Sequence, residues 1–362
     1  MKVLILNRRD LKHPEGGGAE VYTHEIAKGL TERGVEVTIF SSSFVGGLTD
    51  ETFDGIRHLR RGSELTVHLY GFFYAFRHRH SFGLIIDEFN GLGFFGFLLP
   101  RCIILIHQMY REFWFREIGP LGALPYVIEP LLLRCYRNRP AVTVSDSTKK
   151  DLEELGFKNI YVVMNALSIN PLPRLADKEE KPTLFFLGRL KSTKRPEDAL
   201  VIFRKVKAEI PEARLWVVGQ GPEKENLRKL AEGLSGVTFF GWLDDEEKYR
   251  LLQRAHILLV PGVREGFGIN VIEAASQGTP AIGYDVHGLR DSIRNGSTGI
   301  LATGPEDAST KTLELLSDPV RYHSMAEQCL EYARGFNWKN RAEEFWKAVS
   351  HFLPSENAGK EL

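Results

Sequence analysis

Cysteine is scarce in this chain, and the three present (Cys102, Cys135, Cys329) stand far apart with no metal-ligand spacing. That excludes a disulfide scaffold and a zinc module, and leaves reduced thiols as the expected state. An excess of either charge is also missing: Lys plus Arg and Asp plus Glu both total 47. No global field therefore draws the chain to nucleic acid, and none is expected as a partner. Long apolar runs are absent as well. The greasiest stretch, residues 92–106, is broken by Pro100-Arg101 and falls short of the roughly 20 apolar residues a membrane span needs. The opening run Val3-Leu4-Ile5-Leu6 is too short for a signal peptide and is cut off by Arg8-Arg9-Asp10. A cytoplasmic protein is expected, with attachment to the inner face of a membrane left open. No Asp-x-Asp pair stands at the end of an expected strand, so nothing calls for a metal or another cofactor.

What is present is an alternation of short apolar strands with amphipathic helices, the pattern of α/β architecture with parallel sheets. Strands are expected at 3–6, 35–40, 83–86, 103–106, 141–144 and 161–163, with a helix over 19–33 after the first. A proline-punctuated, charged stretch, Asn170-Pro171-Leu172-Pro173 through Lys181-Pro182, then breaks the pattern. A second series follows, with strands at 183–187, 214–218, 237–240, 257–260 and 280–284 and helices over 196–208 and 224–234. The spacing predicts an N-terminal Rossmann-like domain over 1–170, a linker over 171–182 and a second Rossmann-like domain over 183–335. A last helix over 336–353 puts Trp338, Ala342, Phe345, Trp346 and Val349 on one side, and 354–362 forms a tail. At 362 residues the chain suits two cores better than one. Two doubly wound domains facing across a cleft bind ligands outside the carboxyl ends of their strands.

The most informative stretch lies at such an end. Ile257 to Pro261 reads as a buried strand, and Glu265-Gly266-Phe267-Gly268-Ile269-Asn270-Val271-Ile272-Glu273 follows as a glycine turn entering a helix. The helix start offers backbone amides and a positive dipole end to an anion. The carboxylates of Glu265 and Glu273 repel phosphate but accept charge-assisted bonds from vicinal hydroxyls. Acidic hydroxyl-binders beside anion-binding amides suit a ligand that is part sugar and part phosphate.

Other segments complement this pair. Gly188-Arg189-Leu190-Lys191-Ser192-Thr193-Lys194 follows the first strand of the second domain; Arg189 offers a planar fork and Lys194 a mobile charge for a diphosphate. A solvated basic loop is the alternative. Gly219-Gln220-Gly221-Pro222 and Phe240-Gly241-Trp242 could frame a nucleobase, with Trp242 equally readable as a core aromatic. In the first domain, Glu15-Gly16-Gly17-Gly18-Ala19-Glu20 stands between strand and helix, as a ligand loop or a plain turn. It is neither a dinucleotide fingerprint nor a Walker loop. His107 ends one strand and Asp87-Glu88 another, all expected to face the cleft, although a single histidine also serves structure. Asp244-Asp245 reads as a helix start.

Together these motifs resemble the family 4 retaining glycosyltransferases of the GT-B fold. The resemblance rests on Glu265 and Glu273 with seven residues between, Gly188-Arg189 with Lys194, Gly219 to Pro222, Gly17 to Glu20, Gly278-Thr279-Pro280 and Asn295 to Gly299. It implies that Arg189 and Lys194 hold the donor diphosphate, Glu273 the ribose hydroxyls and Glu265 the donor sugar. The amides of Phe267, Gly268 and Ile269 would touch sugar or phosphate, Gly17 would approach the diphosphate from the first domain with Gly18 beside it at the donor, and His107 would lie near the transferred sugar. It further implies that the last helix crosses back to the first domain. The reaction implied is transfer of a hexose from a UDP- or GDP-linked sugar to a hydroxyl, with retention. A front-face route, in which the leaving diphosphate takes the acceptor proton, removes the need for the carboxylate pair of a retaining hydrolase. Two departures affect loop shape: Met164-Asn165-Ala166 where the family commonly has Pro-Asn-Gly, and Arg195 where glycine often follows the lysine.

The acceptor is less defined. Tyr70 to His80 and Tyr110 to Arg116 mix aromatic and basic residues, which suits either a core covered by arginine stems or a surface resting on an anionic bilayer. Acceptors are therefore open between a lipid-linked glycan or glycolipid and a small soluble alcohol. A GT-B-like sugar-nucleotide epimerase would use the same donor without an acceptor. An idle scaffold should have lost one of Arg189, Lys194, Glu265 or Glu273, and all four are present.

Overall fold

A computed structural model describes residues 1–352, which form two compact units. The expected tail, 354–362, lies outside the described residues. The first unit comprises Met1–Arg111, Ala123–Ala166 and the chain from Trp338; the second comprises Glu112–Gly122 and Leu167–Asn337.

In chain order the first unit runs β1 (Lys2–Leu6), α1 (Gly18–Thr31), β2 (Glu36–Ser41), β3 (Asp50–Phe53), β4 (Ile56–Arg60), α2 (Val67–Arg77), β5 (Leu84–Glu88) and β6 (Cys102–Ile106). The helix α3 (Glu112–Ile118) belongs to the second unit, after which α4 (Ala123–Cys135), β7 (Ala141–Thr143), α5 (Asp146–Glu154) and β8 (Ile160–Val162) complete the first sheet. Its order is β3-β4-β2-β1-β5-β6-β7-β8, parallel throughout except for the β3–β4 hairpin. Its central strands are buried on both faces, as parallel strands covered by helices must be.

The second unit continues with β9 (Thr183–Leu187), α6 (Pro196–Glu209), β10 (Arg214–Val218), α7 (Lys224–Leu230), β11 (Val237–Gly241), α8 (Asp245–Arg254), β12 (Ile257–Val260), α9 (Ile269–Ser276) and β13 (Ala281–Tyr284). Then come α10 (Leu289–Ser292), β14 (Gly299–Ala302), α11 (Pro305–Leu316) and α12 (Pro319–Ala333). The sheet is all parallel in the order β11-β10-β9-β12-β13-β14, which is the doubly wound order with its reversal between β9 and β12. Residues alternate between two cores: Leu184 and Phe186 enter one, Phe185 the other.

The chain leaves the first unit after Ala166 and returns at Trp338, and Leu167 bridges Asn337 at that passage. The returning helix, α13 (Trp338–Ser350), packs on α1. A β-carbon on Gly29 of α1 would stand 2.2 Å from the Ala342 β-carbon, so glycine lets the two helices meet. Tyr22 lies edge-on to Trp338 at 5.8 Å between ring centres and donates its hydroxyl to Val163 O at 3.0 Å.

By length and composition alone, the helical stretch Glu112–Cys135 is apolar enough to cross a membrane, with 17% of its window buried. No long apolar run marks it in the sequence, because Glu112, Arg116, Glu117, Glu129 and Arg134 punctuate it. It is not one rod: Gly119 has φ +59° and the chain turns through Gly119–Gly122 before α4 begins.

Candidate functional site

In the second unit the loops after β9 and β12 flank the point where strand order reverses, where a doubly wound sheet leaves a crevice. The β9 loop closes in a helical turn over Ser192–Lys194 and reaches α6 through Arg195, at φ +46°, and Pro196. Val263 N–H donates to Thr193 O at 3.0 Å, tying the two loops together. That tie brings Lys194 onto Glu265: Nζ lies 2.5 Å from Oε1 and 2.6 Å from Oε2. Glu265 is buried, and its own N–H donates to His287 O at 2.9 Å. Arg189 sits half-buried on the same loop. The helix α3 supports that loop, since Ser192 Oγ donates to Arg116 O at 3.0 Å and Lys191 lies 3.8 Å from Glu117.

Glu265 leads directly into α9. Phe267 is buried against Phe336, and Gly268 caps α9 at φ +89°, a conformation that side-chain-bearing residues rarely adopt. Ile269 is the first helical residue; the opening amides of a helix have no partner within it. Asn270 Nδ2 donates to Leu187 O at 3.0 Å, fixing this helix start to the end of β9. Glu273, a turn further on, accepts from Lys248 Nζ at 2.8 Å and Tyr249 OH at 3.2 Å, both on α8. Burial alone would lower the Lys248 pKa, but Glu273 and Asp245 hold it above the ordinary lysine value. Burial and the Glu273 charge push the Tyr249 phenol up. Lys248 and Tyr249 escaped the sequence reading because both stand on a charged helix that reads as a solvated face.

The loop Gly219 to Pro222 lies against the Arg189 loop. Leu190 N–H donates to Gln220 O at 2.9 Å, and a β-carbon on Gly219 would fall 1.9 Å from Gly188 O. This close backbone approach by itself accounts for glycine at 219. Trp242 is 72% exposed, so the core alternative for it is wrong. Asp244 caps α8, accepting from Glu247 N–H at 2.9 Å.

Gly17, Gly18 and His107 belong to the first unit. Gly17 caps α1 and donates its N–H to Glu20 Oε2 at 2.6 Å; Gly18 opens the helix. Burial and the nearby Glu88 charge raise the Glu20 pKa. His107 is buried at the end of β6, with Nε2 3.2 Å from Glu88 Oε1 and its ring edge-on to Tyr22. Glu88 also accepts from Thr23 Oγ1 at 2.6 Å. Asp87 corrects an expectation, because it does not share this polar group. Strand alternation turns it to the other face, where it accepts from Phe94 N–H at 2.9 Å, Gly96 N–H at 2.8 Å and Tyr136 OH at 2.6 Å. Burial lifts its pKa to about 6, against those hydrogen bonds. Among the described residues no three His, Cys, Asp or Glu gather as a metal-ion site.

Comparison with known proteins covers both halves. Residues 16–170 match the family model "Glycosyltransferase Family 4" and residues 172–336 match "Glycosyl transferases group 1". Among curated relatives, glycogen synthase of Mycobacterium tuberculosis is 27% identical over 236 residues. That match covers 62% of this chain and 56% of the relative, so the chain spans little over half of that protein. Among solved structures, sucrose-phosphate synthase from Thermosynechococcus elongatus superimposes with a TM-score of 0.78 at 19% identity, over 97% of this chain and 98% of that one. Anabaena HepE in complex with UDP-glucose gives 0.73 at 15% identity, over 97% of this chain and 100% of that one.

Proposed function

Since the chain belongs to the family 4 glycosyltransferases of the GT-B fold, we propose that it moves a hexose from a nucleoside diphosphate sugar to a hydroxyl acceptor, with retention of configuration. The observation that carries the reading is the Lys194–Glu265 pair at the reversal point of the second sheet, with Glu273 further along α9. A leaving diphosphate gains negative charge as the sugar bond breaks, and a cation held in place beforehand stabilises that charge. Lys194 is that cation, with Arg189 beside it on the loop. When a diphosphate draws the ammonium away, the Glu265 carboxylate becomes free to accept from sugar hydroxyls. Glu273, oriented by Lys248 and Tyr249, takes the ribose hydroxyls. The amides at Phe267, Gly268 and Ile269 lie at the positive end of α9 and suit the remaining oxygens. For His107, braced by Glu88, and for Gly17 and Gly18, all in the first unit, the resemblance alone implies a part in the reaction.

UDP-sugars are the donors to try first, because a solved relative of the same fold carries UDP-glucose; GDP-sugars come next. The reaction uses no metal in this reading, since Lys194 and Arg189 supply the charge a divalent ion would. Acceptors are sought among lipid-linked glycans and glycolipids before soluble alcohols.

The test is a thermal-shift screen against UDP-, GDP-, ADP-, dTDP- and CMP-sugars, followed by product analysis. Donor at a hundredfold over its dissociation constant should stabilise by about 2.7 kcal/mol. The product should keep the donor's anomeric configuration, and turnover should survive a chelator. Release of a modified sugar nucleotide without acceptor would replace transfer with epimerisation. No response of folded protein to any donor would overturn the assignment of Glu265 and Glu273.

A further inference from the structure

Two helices of the first unit are built inside out. In α2 the residues turned to the sheet are Val67, His68, Gly71 and Ala75, while Leu69, Tyr70, Phe73 and Phe76 are exposed. In α4 the buried positions are Glu129 and Leu133, while Leu124, Val127, Ile128 and Leu131 are exposed. Phe73 is 64% exposed and Leu124 68%, the reverse of what a helix covering a core presents to water. Glu129 is inside because its carboxylate accepts from the N–H groups of Tyr110 at 2.7 Å and Arg111 at 3.1 Å.

Both helices cover one face of the sheet. On β6, Cys102 packs in the cluster holding Val67 and Ala75 of α2, whereas Ile104 and Ile106 pack with Leu133 of α4. Positions 102, 104 and 106 share a side of the strand. The aromatic series Phe72, Phe95, Phe97 and Tyr136 runs between the two helices at 6.0, 6.4 and 5.2 Å.

Charge on this face is one-sided although the whole chain is neutral. Residues 65–111 and 123–139 carry seven arginines and three acids, Asp87, Glu88 and Glu129. All three acids are buried, whereas Arg77, Arg101, Arg134 and Arg137 are exposed. We infer that this face docks flat on a lipid bilayer with anionic head groups, through the outward sides of α2 and α4. Apolar residues enter the acyl boundary while arginines meet the phosphates, the pattern of an interfacial helix. A span is excluded for α4: its 13 residues reach only about 20 Å against a hydrocarbon core of about 30 Å. A second copy fits less well, because an isologous contact would set arginine against arginine. That this docking serves to reach an acceptor in the bilayer rests on the transferase reading; the docking itself does not.

Flotation of the full chain with vesicles tests it, using equal parts phosphatidylglycerol and phosphatidylcholine against phosphatidylcholine alone. Binding is expected to the anionic vesicles, weakening as salt is raised. Arg134→Gln with Arg137→Gln should weaken it about thirtyfold, and Leu124→Ser with Leu131→Ser at least about tenfold. These side chains face outward, so thermal melting and the donor-induced shift should match the parent protein. Absence of binding to anionic vesicles, or binding that neither pair of substitutions changes, overturns the inference. So does a dimer in sedimentation that the leucine pair dissolves, which would assign the face to a second copy. A parent protein that floats but shows no donor shift would sink the transferase reading and leave the docking surface standing.

Discussion

Lys194 and Glu265 hold each other, so each is predicted to matter twice. The ammonium is partly exposed and the carboxylate nearly buried, at side-chain exposures of 30% and 9%. Lys194→Ala removes the charge that meets the leaving diphosphate and strands Glu265 without its counter-ion. Turnover is expected to fall roughly 10²-fold or more. Glu265→Gln alone should also cost activity, and the double variant should lose far less than the product of the two. Steady-state kinetics on the three proteins reads the coupling; independent, multiplicative losses would mean that the pair does not act as one unit. Glu273 should behave differently, because a ribose is bound equally before and during the reaction. Glu273→Gln is expected to raise the donor KM about tenfold with kcat little changed. A fall in kcat at constant KM would place Glu273 at the reacting sugar instead. Both glutamates were legible in the sequence, since two carboxylates bracketing a glycine turn have few other uses. The Lys194–Glu265 bond was not, because it depends on Val263 meeting Thr193 across two loops that are far apart in the chain.

At the scale of elements, two contacts make stability claims. The approach of α1 to α13 depends on Gly29, whose position leaves no room for a β-carbon beside Ala342. Gly29→Ala should destabilise by about 1–3 kcal/mol through overpacking, and Ala342→Gly in that background should recover part of it. Denaturant titration of the single and double variants measures this; full additivity of two losses would show that the helices do not meet there. The extended segment that opens the long stretch of the second unit carries the second claim. Lys178 is half-buried, donates to Thr279 Oγ1 at 2.7 Å, and desolvation of its ammonium brings its pKa down to about 7. A lysine depressed in the folded state is protonated more in the unfolded chain between about 7 and its ordinary value near 10.4. Stability should therefore rise with pH across that window. The Lys178→Met variant should lack this rise, which denaturant midpoints near the two ends of the window would detect. Elements differ in how plainly the sequence announces them. The strands β9, β10 and β12 are continuous apolar runs and stand out. The β3–β4 hairpin does not, since Asp50, Glu51, Arg57, His58 and Arg60 mask it. Arg60 is buried there only because Asp10, Glu51 and Leu48 O receive its guanidinium, partners no local pattern reveals. The helices α2 and α4 were obscured for the opposite reason: an apolar face signals burial, and theirs points outward.

For the molecule as a whole, each sheet has its own core. Leu4, Phe40, Ile85 and Phe94 share one cluster with residues of the first unit alone, and Leu184, Phe203, Ile257 and Ile282 share another with residues of the second. Chains with separate cores commonly depart from two-state unfolding. Calorimetry is therefore expected to resolve two transitions, and two perturbations should assign them. Gly29→Ala acts on a helix pair inside the first unit, so it should lower one midpoint and leave the other in place. A nucleoside diphosphate acts through Arg189, Lys194 and Glu273, all in the second unit, and should raise the midpoint that Gly29→Ala spares. The rise should correspond to about 2.7 kcal/mol at a hundredfold excess over the dissociation constant. If the nucleotide raised the midpoint sensitive to Gly29→Ala and no other, the donor would belong to the first unit, and Glu265 and Glu273 would need another ligand. A single transition moved by both would mean that the two cores melt as one cooperative body.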